Sequence, residues 1–262
     1  MGMKVRELLS RGAAGIIDET EDYYWVRVLN LFDMYVMKDD KSLTPCLVHD
    51  GFWESWITEY LIKQDHYATV FYDVGSNCGY YSLLMYRLGA MVSSFEPNPA
   101  YFKMMEATIE RNGWDKPSFR RSQYAISDKH GTETLWIPKE LHGSASFTEM
   151  DQKWEAEPLE VKTAPLDHLG GCGNYIVKID AEGAEEKVWD GMIDSLKKRI
   201  GHSQVLLEYT PGAYSDEFLD KLEDYAPLHW INGNGEAEPV TREWIYAQTD
   251  WVMLILDPYL RR

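Results

Sequence analysis

The spacing of hydrophobic and polar positions changes character repeatedly between residues 70 and 99. VFYDV (70–74) is an apolar run too short for a helix and predicts a buried strand. GSNCG (75–79) is a glycine-bounded turn, and residues 80–88 return to helical spacing. A second apolar stretch then ends at Glu96, immediately before Pro97. The segment reads as strand, turn, helix, strand.

The same reading extends along the chain. Residues 4–18 predict a short amphipathic helix, and 23–38, rich in aromatic and β-branched residues, a hairpin closed near Asp39 and Asp40. Trp53, Ile57, Tyr60 and Leu61 recur at helical spacing from Gly51 onward. The stretch 99–112 sets Phe102, Met105 and Ile109 on one helical face and stops at Gly113. Strands are expected at 118–124, 132–137, 175–180 and 204–209, with a helix at 216–225. Segments 228–231 and 251–256 could close the sheet as an antiparallel pair, and His142 to Trp154 reads as a mobile loop over the site. Strands alternating with helices predict a doubly wound, mostly parallel, seven-stranded α/β sheet. Residues 1–50 form an N-terminal accessory layer of helix and hairpin, and residues 51–262 the main domain.

Composition narrows the function. A formal net charge of −17 repels phosphate backbones, and Arg120–Arg121 and Lys197–Lys198–Arg199 are too short to make a basic patch. Nucleic acid is therefore not the expected partner; a neutral or cationic small molecule or glycan is. Hydrophobic residues make up 45% of the chain, enough for a large core. Cys46, Cys78 and Cys172 lack metal-ligand spacing and read as reduced thiols of a cytoplasmic protein. No apolar run reaches the length of a membrane span, and the N-terminus shows no signal-peptide pattern.

The glycine turn and Glu96 point to a nucleoside. Glu96 follows Gly75 by 21 positions, where an acid that holds ribose hydroxyls is expected. A dinucleotide site requires a middle glycine for the pyrophosphate, and here Asn77 stands in its place. Asp73, at the strand end, would repel a pyrophosphate but suits an ammonium. S-adenosylmethionine, with an ammonium, a ribose and no phosphate, fits this turn better than NAD.

DVGSNCGYYS, FEPNP, QYAISD and VKIDAEGAEEKVWDG followed by VLLEY resemble the FkbM-type methyltransferases, S-adenosylmethionine-dependent enzymes known for O-methylating sugars, polyketides and other natural-product hydroxyls. The resemblance covers about residues 51–209. It implies the Rossmann-like class I methyltransferase fold. It also implies a cofactor cradle of Asp73, Gly75, Ser76, Asn77, Gly79 and Tyr80, with Glu96 on the ribose. Pro97 and Asn98 would shape the adenine edge, and Tyr124 and Ala125 flank the ring. Ser76 and Cys78 stand where the family commonly has Ala and Ile.

Asp180 ends the fourth strand beside the first, where an open sheet places its ligand. Asp180, Glu182 and Glu208 are the candidate catalytic carboxylates, able to align an acceptor hydroxyl and share its proton. A first-turn acid favoured by the helix dipole is the competing reading of Glu182. Asp180 and Glu208 could also ligate Mg²⁺, and Lys178 could pair with one of the acids. Glu54 could reach the methionine end of the cofactor, and His142, among the isolated His142, His168 and His202, could cover the substrate. The expected activity is O-methylation of a sugar, glycan or glycosylated metabolite. The alternatives are N-methylation, a non-catalytic S-adenosylmethionine-binding domain of a glycan-assembly protein and, most distantly, an NAD oxidoreductase.

Overall fold

A computed structural model describes residues 14–138, 145–147, 156–166, 169, 173–198 and 203–260. The hairpin at 23–38 forms as β2 (Tyr23–Val28) and β3 (Phe32–Met37), antiparallel with Trp25 opposite Tyr35. The helix expected over 4–18 does not hold at its described end. Ile16–Glu19 is strand β1, paired with the edge of β2, and the rest lies outside the described residues. β-Branched Ile16 and Ile17 favour this pairing over a helix. Two short helices follow, α1 (Leu43–His49) and α2 (Ser55–Ile62). The first was not anticipated from the sequence; its N-cap is Ser42, and Asp40 just before it accepts the first-turn Thr44 N–H at 2.6 Å.

The main sheet begins with β4 (Thr69–Val74), α3 (Tyr80–Leu88), β5 (Met91–Phe95), α4 (Pro99–Arg111) and β6 (Phe119–Ser122). It continues with β10 (Asn174–Ile179), α5 (Glu185–Lys197), β11 (Ser203–Tyr209), α6 (Asp216–Tyr225), β12 (Leu228–Ile231), β13 (Ala237–Pro239), α7 (Arg242–Tyr246) and β14 (Val252–Leu256). The strand order is β13-β12-β14-β11-β10-β4-β5-β6. From β11 to β6 the neighbours are parallel, and β14 runs antiparallel to both β11 and β12. The doubly wound sheet is as expected, with short edge strand β13 as an eighth member.

A separate three-stranded sheet, β7-β9-β8, is built from β7 (Ala125–Ile126), β8 (Gly131–Pro138) and β9 (Ala156–Ala164). The strand expected at 118–124 stops at Ser122, and the first strand of this second sheet begins only at Ala125.

Period-two alternation along β4 sends Val70, Tyr72 and Val74 to one face and Phe71 to the other. The first face packs against Val188, Trp189 and Met192 of α5 and Phe218, Leu219 and Leu222 of α6. The second packs against α3 and α4, and Val26, Met34 and Val36 of the N-terminal sheet join this core. The described part of residues 1–50 is thus built into the molecule: Tyr35 N–H also donates to Thr108 Oγ1 on α4.

Candidate active site

Register sets the site. Val74 pairs with Phe95 and with Ile179, and Ile179 pairs with Leu207. The carboxyl ends of β5, β4 and β10 therefore finish level while β11 runs on to Tyr209, and Glu96, Gly75, Asp180 and Glu208 share one edge. In an open α/β sheet that edge is where ligands bind.

The turn after β4 has no room for side chains at its ends. Gly75 has φ +76°, and a Cβ there would lie 1.8 Å from the Asp180 carbonyl oxygen. Gly79, at φ +85°, would meet Met105 at 2.8 Å. Gly75 and Ser76 both donate their N–H to the Phe95 carbonyl, tying the turn to β5. Glu96 locks the other side: one carboxylate oxygen accepts the Asn77 N–H and the other the Asn98 N–H, each at 2.7 Å. Asn98 caps α4 by accepting the Ala100 N–H at 3.0 Å. Burial pushes the Glu96 carboxyl up to about 7.

These groups border one cleft with about 80 Å³ of free internal space. Gly75, Asn77, Glu96, Pro97, Asn98 and Ala125 line one part and Asp180, Ala181 and Glu182 the other. Phe95, Ile126, Leu135 and Phe147 supply apolar wall, which the sequence did not single out.

The second part is strongly acidic. Lys178, 2% exposed, places its ammonium 2.7 Å from Asp180 Oδ2, the pairing expected from their shared side of the strand. The same ammonium lies 4.9 Å from the centre of the Tyr81 ring. Tyr81 donates its hydroxyl to Glu54 Oε2 at 2.6 Å, and burial pushes the Glu54 carboxyl up to about 7. Burial, then the Asp180 charge, raises the proton affinity of both Glu182 and Glu208. Glu182 has φ +48°, a left-handed backbone uncommon outside glycine.

Not every expected residue reaches the cleft wall. Asp73, expected to face the ligand directly, is 1% exposed and lies beneath the turn, where Ser82 donates to its Oδ2 at 2.6 Å. Its other oxygen, Oδ1, has no hydrogen-bond partner among the described residues. Tyr80 turns into the core, its hydroxyl 3.0 Å from Thr58 Oγ1, because the first residue of α3 faces α2. Ser76 packs toward Met105, and Tyr124 stands 5.6 Å from Phe95, the ring that itself lines the cleft. Glu54 and Glu208 act on the acidic end through charge.

The Mg²⁺ expectation finds no support. Among the described residues no three His, Cys, Asp or Glu side chains are grouped to hold a metal ion, and Asp180 already carries the Lys178 ammonium. His142, His168, His202 and Cys172 lie outside the described residues, as does the 142–154 loop except 145–147.

Residues 73–230 match the family described as the methyltransferase FkbM domain. No protein with a curated description matches. The fold is similar to that of methyltransferase FkbM from Methylobacillus flagellatus KT, at 12% identity and TM-score 0.43, over 71% of this chain and 42% of that one. The chain thus spans less than half the length of that protein. It is also similar to a TehB-like SAM-dependent methyltransferase from Corynebacterium glutamicum (10% identity, TM-score 0.44, 82% and 92% coverage). A third is precorrin-6y C5,15-methyltransferase from Geobacter metallireducens GS-15 (13% identity, TM-score 0.41, 80% and 89%).

Proposed function

The chain belongs to the FkbM methyltransferase family, and we propose that it transfers the methyl group of S-adenosylmethionine to a hydroxyl oxygen of a sugar, glycan or glycosylated metabolite. The carrying observation is that Glu96 and the Asp180–Glu182 turn border one cleft at level strand ends.

The residues present fit the cofactor. Each Glu96 oxygen accepts one backbone N–H and keeps a second lone pair, so the carboxylate can take both hydroxyls of a vicinal ribose diol. Asp73 Oδ1, buried and without a hydrogen-bond partner among the described residues, leaves an acceptor open beneath the turn. When bound, S-adenosylmethionine supplies an electrophilic methyl on a sulfonium. Asp180, held by Lys178, orients the acceptor hydroxyl. Glu182, at the cleft wall and with raised proton affinity, is suited, in its ionised form, to hold the proton that the hydroxyl gives up. An amine acceptor would need no such base, which favours oxygen.

Acceptor choice falls to residues 1–50 and 228–250, which lie wholly or largely outside the matched family region. Free thiols at Cys46 and Cys78 support a cytoplasmic setting.

Calorimetric titration with S-adenosylmethionine, S-adenosylhomocysteine and NAD tests the reading. Micromolar binding of both sulfur compounds without NAD is the expected result, and absence of binding by either sulfur compound would overturn it. Asp180→Asn should then lower turnover on a hydroxyl acceptor far more than cofactor affinity.

A further inference from the structure

We propose that Glu185 and Tyr214 form a latch that positions the Asp180–Glu182 turn at the transfer end of the cleft. This rests on the methyltransferase reading above and assigns that site two positioning residues.

Glu185 opens α5, where an acid ordinarily faces water, yet it is 1% exposed. Its carboxylate turns back along the chain. Oε1 accepts the Ala181 N–H at 2.8 Å and Oε2 the Gly183 N–H at 2.9 Å. The Tyr214 hydroxyl donates to the same Oε2. One side chain therefore holds two peptide groups of the turn, and one tyrosine holds that side chain.

The turn needs such support. A left-handed backbone is unfavourable for a non-glycine residue, and Glu182 adopts it at φ +48°. Strain of this kind persists only where the surroundings over-determine it. On the opposite side, the Glu182 carbonyl accepts from Ser146 Oγ at 2.9 Å and from Phe147 N at 3.1 Å. Between these two anchors, Glu182 is fixed with its side chain beside that of Asp180.

Tyr214 ties this turn to the neighbouring strand. It lies in the segment between β11 and α6, its ring 5.3 Å from both Tyr209 and Phe218. β11 carries Glu208, so the latch sets the spacing between Glu208 and Glu182 as well. Apart from Glu185 and Ser195, the buried side chains of α5 are apolar (Val188, Trp189, Met192 and Leu196), so its packing does not itself call for the Tyr214 hydroxyl.

The test compares wild type with Tyr214→Phe, which keeps the ring and removes one hydrogen bond. Affinities for S-adenosylmethionine and S-adenosylhomocysteine are measured by calorimetry, and amide exchange is followed at Ala181 and Gly183. The two compounds differ at sulfur by a methyl and a positive charge, so only the first senses where the carboxylates sit. The variant should bind S-adenosylhomocysteine as wild type does, bind S-adenosylmethionine several-fold more weakly, and exchange the Gly183 amide faster. Unchanged affinity for both compounds with unchanged exchange would overturn the latch while leaving the methyltransferase reading intact. Failure of wild type to bind either compound would overturn both. Glu185→Gln, which retains volume and one acceptor oxygen, should shift the same ratio in the same direction if Tyr214→Phe folds poorly.

Discussion

The Lys178 ammonium sits 2.7 Å from the Asp180 carboxylate, with Lys178 almost entirely enclosed. It also faces the charges of Asp73 and Glu54, so one buried cation serves several buried acids. The cluster on this edge of the sheet is held together by that arrangement, and the chemistry proposed for it depends on Asp180 staying in place.

Removing the cation should therefore be severe. Lys178→Met leaves the carboxylates uncompensated and should destabilise the protein by about 3–5 kcal/mol. The Lys178 proton affinity is raised, so its contribution is fully present below the unfolded lysine value of about 10.4 and constant from pH 5 to 8. The variant should behave differently over that window, recovering stability toward pH 5 as the stranded acids take up protons. Urea denaturation of both proteins at pH 5 and 8 checks this; an equal deficit at both pH values would contradict it.

Glu96 predicts a second pH effect, opposite in sign for folding and for binding. Its folded-state value, about 7, lies above the unfolded value of about 4.3, so its contribution to stability is present below about 4.3 and lost as pH rises through 7. Glu54, also raised to about 7, acts the same way. The loss from Glu96 alone is on the order of 3 kcal/mol. Binding of the ribose diol needs the ionised form, so affinity for S-adenosylhomocysteine should climb up to about pH 7 and then level off. Glu96→Gln should flatten that climb, and Glu96→Ala should weaken binding by about 1.5–3 kcal/mol. Melting curves and titrations from pH 5 to 8 read both limbs.

The residues that show how far a sequence can be read are those whose roles are local. α3 and α6 form over the predicted spans because their apolar spacing and flanking turns agree with the final packing. Glu96 was legible because a glycine turn and an acid at fixed separation are both set by one βαβ unit. β9 was not, because Glu157, Glu160 and Lys162 interrupt its apolar pattern and few of its side chains are buried. Glu54 was a weak candidate for the same kind of reason: it enters the site only because α2 packs on α3 and brings Tyr81 within reach. Glu185 carried a faint signal, a second acid three residues after Glu182; its Ala181 and Gly183 partners are local, but Tyr214 reaches it only through the tertiary structure.

Gly75 should tolerate no side chain. Alanine there would adopt φ +76° and push Cβ to 1.8 Å from the Asp180 carbonyl, a backbone atom that cannot swing aside. Left-handed strain and overpacking together predict a loss of about 2–5 kcal/mol. Because the displaced atom belongs to Asp180, affinity for S-adenosylmethionine should fall along with stability. A Gly75→Ala protein that melts and binds as wild type does would show that the two turns are not in contact.

Glu182 should show the reverse, a gain in stability at the expense of function. Its left-handed backbone is unfavourable for glutamate, and asparagine enters that region several-fold more readily. Its carboxyl is also costly to ionise where it sits, since burial and the Asp180 charge raise its proton affinity. The raised value means that the group's contribution to stability is lost as pH rises. Glu182→Asn should therefore exceed wild type by about 1 kcal/mol from backbone relief already near pH 6, and by a wider margin near pH 8 as the wild-type carboxyl ionises. Methyl transfer to a hydroxyl acceptor should drop about 10²–10⁴-fold, the usual contribution of a positioned base. Paired denaturation and turnover measurements decide it. A variant that turns over normally would remove Glu182 from the reaction, and one less stable at pH 8 would show that the turn is not strained.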